Sequence, residues 1–87
     1  MYSVFLSKQA QKQIDRMPRA IARKLAILIE QLQEKGPFQP QWLNYSKLGP
    51  DSYHCHLSYS WVACWYWTKG TLEIEVYYVG SREDAPY

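Results

Sequence analysis

The sequence predicts an α+β domain: an N-terminal strand, a two-helix hairpin packed on one face of a mostly antiparallel sheet, and a C-terminal three-strand meander. Three observations predict it. Apolar residues recur at helical spacing between Lys8 and Lys35 and alternate singly with other residues beyond Ser52. Pro18 divides the helical part and Gly36-Pro37 closes it. Short polar turns separate the alternating runs. A length of 87 residues suffices for one core and not for two, so residues 1–87 are expected to form a single domain. With 47% hydrophobic and 21% charged residues, the composition is that of a folded chain and excludes a disordered one.

Tyr2 to Leu6 is a short β-prone run, and the Ser7 hydroxyl after it can cap a helix. The first helix runs from about Lys8 to Met17, with Ala10, Ile14 and Met17 on its apolar stripe. Pro18 interrupts it and, because proline is tolerated in a first turn, opens the second helix. That helix carries Ile21, Leu25, Leu28, Ile29 and Leu32 along one stripe and stops at Gly36-Pro37. Phe38 to Ser52 holds Pro40, Asn44, Gly49 and Pro50 and reads as a linker loop. Three strands follow: Tyr53 to Leu57, Trp61 to Trp67 after Ser58-Tyr59-Ser60, and Thr71 to Val79 after Lys69-Gly70.

Strand alternation sorts the side chains by face. Cys55, Leu57, Val62, Cys64, Leu72, Ile74 and Val76 are expected to receive the helices. The other face collects His54, His56, Trp61, Trp65, Glu73, Glu75 and Tyr77, a mixture of titratable groups and rings that suits a ligand better than bulk water. A turn that slips by one residue would exchange the two faces.

His54 and His56 are the only histidines of the chain and, on an extended strand, project to the same side. Imidazole titrates at about pH 6.5, so the pair can supply a proton acceptor, a proton donor or a positive charge near neutrality. The same pair is also compatible with plain surface. His-x-His is a zinc-ligand spacing too, which Glu73 or Glu75 would have to complete; no further ligand stands out, and no cofactor is expected.

The net charge is +2, but Lys8, Lys12, Arg16, Arg19, Arg23, Lys24 and Lys35 all precede Gly36. Such a basic helical half is either a footprint for nucleic acid or an acidic partner, or an ordinary solvated helix face. Aromatic residues make up 16% of the chain, more than one small core absorbs, which suits base stacking or packing against a partner. Cys55 and Cys64 form no CxxC motif, fall at inward positions and read as small buried apolar residues. With no signal peptide and no apolar run near the roughly 18 residues of a membrane span, a cytoplasmic protein with reduced thiols is expected.

Ser7-Lys8-Gln9-Ala10, the Met17-Pro18 break, Lys47-Leu48-Gly49, the Tyr53 strand and Val79-Gly80-Ser81-Arg82-Glu83 with a closing Tyr87 resemble, in this order, the RelE/ParE superfamily of small bacterial toxins. The resemblance covers almost the whole chain. It implies a RelE-like fold and the toxin of a type II toxin–antitoxin system, with a cognate antitoxin, the ribosome and mRNA as partners and neither a membrane nor a small-molecule cofactor. RelE-like members cleave mRNA in the ribosomal decoding site, using basic side chains on the sheet face plus an arginine and a tyrosine near the C-terminus. His54 and His56 stand where such toxins place two lysines, Arg82 matches the arginine, and Tyr87 matches the late tyrosine. Trp61 stands where the family commonly has an arginine, so one phosphate clamp is missing.

Metal-independent cleavage by the 2′-hydroxyl needs a base, a cation for the transition state and an acid for the leaving 5′-oxygen. His54 or His56 can be the base, and its neighbour, when protonated, can hold charge or act as the acid, because coupled imidazoles titrate at separated pKa values. Arg82 can bond two phosphate oxygens at once. Tyr87 is an acid or a stacking platform. Lys47, Trp61 and Trp65 are the candidate substrate-binding residues, the tryptophans either stacking on bases or packing under the Phe38 to Ser52 segment. Glu83 reads as a surface charge. Two alternatives stay open: a toxin that binds without cleaving, such as a ParE-like gyrase inhibitor or a member that has lost catalysis, and an RNA-binding module. Trp61 favours the binders; the histidine pair with Arg82 and Tyr87 favours the nuclease.

Overall fold

The computed structural model describes residues 1–87. In chain order the elements are β1 (Ser3–Leu6), α1 (Lys8–Ile14), α2 (Arg19–Lys35), β2 (Leu43–Lys47), β3 (Ser52–His56), β4 (Trp61–Trp67) and β5 (Glu73–Ser81). The five strands lie in the order β1-β5-β4-β3-β2. β1 runs parallel to β5, and every other neighbouring pair is antiparallel. The expected α+β class, with both helices on one sheet face, is observed.

Ser7 caps α1 as its hydroxyl predicts, accepting the Ala10 N–H at 3.0 Å. The helix stops at Ile14 rather than Met17, because Arg16 and Met17 donate to carbonyls only three residues back. That tightening leads into Pro18, whose ring disfavours helical backbone in the residue before it. Pro18 then caps α2, and its carbonyl accepts from Ile21 and Ala22. α2 buries Ile21, Leu25, Leu28 and Leu32, the stripe read from the sequence, with Ile29 packed at its margin. Gly36 ends α2 with φ of 91°, and a Cβ there would stand 2.7 Å from the Tyr2 ring, so both backbone and space require glycine.

The segment expected to be a linker loop contains β2. Lys47 and Ser46 pair with Tyr53 and His54, and the ladder is irregular between Leu43 and Ser46, where Asn44 takes a φ of 54°. Proline, glycine and asparagine around it hide a strand whose support is tertiary: Tyr45 stacks on Tyr53 and Trp65 at centroid distances of 6.5 and 6.2 Å. The meander therefore has four strands, β2 to β5, rather than three.

The faces expected from alternation are found for β3 and most of β5, and are reversed for β4. Ala63 and Trp65 lie in the helix-facing core with Trp61 and Trp67 packed against it, while Val62 and Cys64 lie with Tyr78 on the other face. Leu57 and Trp61 are joined across the β3–β4 turn by a 2.8 Å backbone hydrogen bond, and residues directly opposite in an antiparallel pair share a face. Since Leu57 is a core residue, Trp61 and then Trp65 follow it inward. Leu72, expected in the core, is 60% exposed ahead of β5. Further along, Cys64 opposes Tyr78 while Trp65 opposes Val76, so Tyr77 is an inserted residue. The irregularity lets Val76 and Val79 both face the helices and Tyr77 and Tyr78 both pack on the opposite side.

Candidate active site

The face away from the helices has a floor of Val62, Cys64 and Tyr78, with Leu48, Tyr77 and Ala85 packed around it. β3 lays His54 opposite Cys64 and His56 opposite Val62, so both imidazoles stand on this floor. Gly80 matters here for packing: a Cβ would come within 2.8 Å of the Tyr78 hydroxyl, which donates to the Ser81 carbonyl at 2.8 Å. Beyond β5 the chain turns at Ser81 to Asp84, where the Ser81 hydroxyl bonds the Asp84 carboxylate and accepts its N–H. The turn sends the C-terminal residues back over the sheet, and the Tyr87 ring comes to 4.4 Å from that of His54.

His54 and His56 are 5.6 Å apart between ring centroids, in an edge-to-face arrangement. They are 7% and 6% exposed, far less open than a surface pair. Burial lowers the pKa of His54, the neighbouring His56 lowers it further, and a backbone hydrogen bond at Ser46 works in the opposite direction. Burial likewise lowers His56, with the Arg82 charge adding to it and the nearby backbone of Tyr59 and Ser58 acting in the opposite direction. His54 Nδ1 lies 3.0 Å from the Ser46 hydroxyl. His56 Nδ1 is buried and has no hydrogen-bond partner.

Arg82 is placed by its own backbone, whose N–H donates to the Ser60 carbonyl at 2.8 Å and ties the end of β5 to the β3–β4 turn. Its guanidinium lies 4.9 Å from the centroid of the Tyr59 ring. Beside it is a cavity of about 260 Å³ bounded by Tyr59, Trp61, Ser81 and Glu83 among others. Tyr87 is 53% exposed, and its phenol is held above the ordinary value chiefly by burial, so it stays protonated at neutral pH.

Of the sequence-predicted residues, His54 meets both His56 and Tyr87, and the Arg82 charge acts on His56. The three substrate-binding candidates do not join them. Trp65 is 0% exposed in the helix-facing core, its indole N–H donating to the Pro37 carbonyl at 3.1 Å, and no base can reach it. Trp61 packs against that same core while one side of it lines the Arg82 cavity. Lys47 extends on the helix side of the edge strand, 5.9 Å from the Tyr53 ring. Glu73 and Glu75 pair with β1 at the far end of the sheet, and no three His, Cys, Asp or Glu side chains cluster as a metal site would require. The expected buried thiols are found: burial pushes Cys64 up to about 12 and Cys55 higher still, which leaves neither as a nucleophile. Ser46 and Tyr59 also belong to the site and carry no sequence signal for it, the first because its surroundings have the composition of a loop, the second because it stands in a turn.

The architecture is shared with solved toxin structures, three of which illustrate it. The RelE–RelB complex of Pyrococcus horikoshii OT3 superposes with a TM-score of 0.76 at 17% identity, over 97% of this chain and 98% of the other. The intact E. coli RelBE toxin–antitoxin complex gives 0.72 at 17% identity over 92% and 95%. A metal-bound toxin from Helicobacter pylori gives 0.76 at 17% identity over 97% and 98%. No family model and no curated protein matches the sequence. The resemblance read from the sequence is thus met in three dimensions along nearly the full chain: its fold is that of the RelE toxins.

Proposed function

We propose that this chain is the toxin of a type II toxin–antitoxin pair and that it cleaves messenger RNA on the ribosome through His54, His56, Arg82 and Tyr87. The observation that carries this reading is the joint contact of His54 with His56 and Tyr87 on the sheet face away from the helices, with the Arg82 charge acting on His56. The RelE and RelBE neighbours are bound to antitoxin, which supports a cognate antitoxin as the partner here.

With Nδ1 engaged by Ser46, His54 has Nε2 left to take the proton of the substrate 2′-hydroxyl. The 2′-oxygen then bonds to phosphorus as the bond to the 5′-oxygen breaks, leaving a cyclic phosphate and a 5′-hydroxyl. Arg82 holds the phosphate oxygens while charge accumulates. His56, in its protonated form, donates a proton to the 5′-oxygen, and since burial and the Arg82 charge lower its pKa, that form is favoured only on the acid side of neutrality. Because both imidazoles are more than nine-tenths buried, substrate reaches them as Tyr87 gives up its place on His54 and offers its ring to a base instead.

That burial also favours a second reading, a toxin that binds its target without cutting. Translating ribosomes incubated with the purified chain separate the two when messenger ends are mapped, with a single 2′-deoxy nucleotide placed at the cut in a parallel message. The nuclease reading predicts cuts that disappear at the deoxy position. Cuts that persist there exclude attack by the 2′-oxygen, and growth arrest without any cuts supports the binder.

A further inference from the structure

Three concavities, the first of them the Arg82 cavity at the margin of the histidine site, adjoin one another. The cavity at Arg82 shares Trp61 and Ser81 with a second, of about 360 Å³, and the second shares Gln9, Gln13 and Arg16 with a third, of about 250 Å³, that Lys12 also lines. They form a furrow because β1 pairs with β5 only as far as Val76, so the edge of β5 beyond it is open to α1 alone.

The groups along this furrow suit one kind of ligand. Lys12, in the last turn of α1, and Arg16, in the turn after it, stand at one end and Arg82 at the other, with the Trp61 indole between. Gln13 commits its carbonyl oxygen to the Val79 N–H at 2.9 Å, which leaves its amide as a donor in the same wall. Two carboxylates, Glu83 and Asp84, sit at the Arg82 end, and Asp84 is engaged by the Ser81 hydroxyl at 3.2 Å. Cations at intervals with a ring between them match the phosphates and base of an extended single strand.

We propose that this furrow is a second subsite for single-stranded RNA, taking the nucleotides that flank the cut as the strand leaves the histidine face around the Arg82 corner. It deepens the nuclease reading and rests on it for the identity of the strand. The test uses 2′-O-methyl oligoribonucleotides, which cannot be cut, in fluorescence anisotropy with the full chain at several salt concentrations. An oligonucleotide of about 12 residues, within the range a small single-strand binder covers, is expected to bind at least about tenfold tighter than one of about 4. Lys12→Ala/Arg16→Ala removes that advantage and flattens the slope of log affinity against log salt by about 0.7 for each phosphate that the two cations neutralise. Trp61→Ala weakens the longer strand about fivefold, and Trp61→Phe, which keeps a ring against the core, restores most of it. Equal affinity for the two lengths, or a double variant with unchanged length and salt dependence, overturns the proposal. Length-dependent binding by a chain that never cleaves a message leaves the furrow standing and removes the nuclease reading.

Discussion

Ser46 Oγ lies 3.0 Å from His54 Nδ1, joining a hydroxyl on the sheet edge to a buried imidazole one strand in. The contact fixes the rotation of the ring and occupies Nδ1, which leaves Nε2 as its other nitrogen. Ser46→Ala is expected to slow cleavage about two- to tenfold, the equivalent of one hydrogen bond of about 0.5–1.5 kcal/mol. The pH dependence of the rate should move with it, and Ser46→Thr should restore both. A Ser46→Ala variant that only loses thermal stability, with its pH profile unmoved, would show that the serine merely holds the strand.

Stability itself should depend on the pair. Burial lowers both histidine pKa values below the ordinary 6.5, so in mildly acid solution the unfolded chain binds protons that the folded chain refuses. The pair costs nothing above that value, and its cost grows as pH falls below it until the folded-state values are passed. Thermal unfolding of the wild type should therefore move to lower temperature between neutral and mildly acid pH, and His54→Gln/His56→Gln should reduce that movement. A double variant with the wild-type pH dependence would place the titrating groups elsewhere.

Trp65 separates a structural role from a substrate-binding one. Its indole is fully buried and bonded to Pro37, so Trp65→Ala should lower unfolding free energy by about 3–5 kcal/mol in denaturant titration, as deletion of a buried aromatic does. A stable Trp65→Ala protein with weakened RNA binding would contradict the packing described above.

The helices are legible in the sequence because their cues are local: Ser7, Pro18, Gly36 and the stripe from Ile21 to Leu32 act within a few residues of themselves. β2 is not legible, since Tyr45 finds its support only by stacking on Tyr53 and Trp65, which are brought to it by the rest of the sheet. The orientation of β4 is legible in principle, because Leu57 and Trp61 flank a three-residue turn and must share a face. Alternation within single strands misses that constraint between strands. His54 and His56 follow from spacing and Arg82 and Tyr87 from resemblance, but the folding of the tail onto His54 depends on the turn at Ser81 to Asp84 and on Gly80 making room for Tyr78.

The tail contact has its own readout. Tyr87→Ala uncovers His54 and should raise its pKa toward the ordinary value in an NMR titration, whereas Tyr87→Phe, which keeps the ring, should leave it nearly where it is. An unchanged His54 titration in Tyr87→Ala would mean that the ring does not cover the histidine in solution.

The central claim is that the two imidazoles carry out the chemistry, and the rate of message cleavage on translating ribosomes by His54→Ala and His56→Ala tests it most directly. Each variant, with folding verified by its thermal transition, is expected to lose at least about tenfold in rate, since acid–base groups are commonly worth 10² or more. Variants that fold and still cut at the wild-type rate would contradict the account.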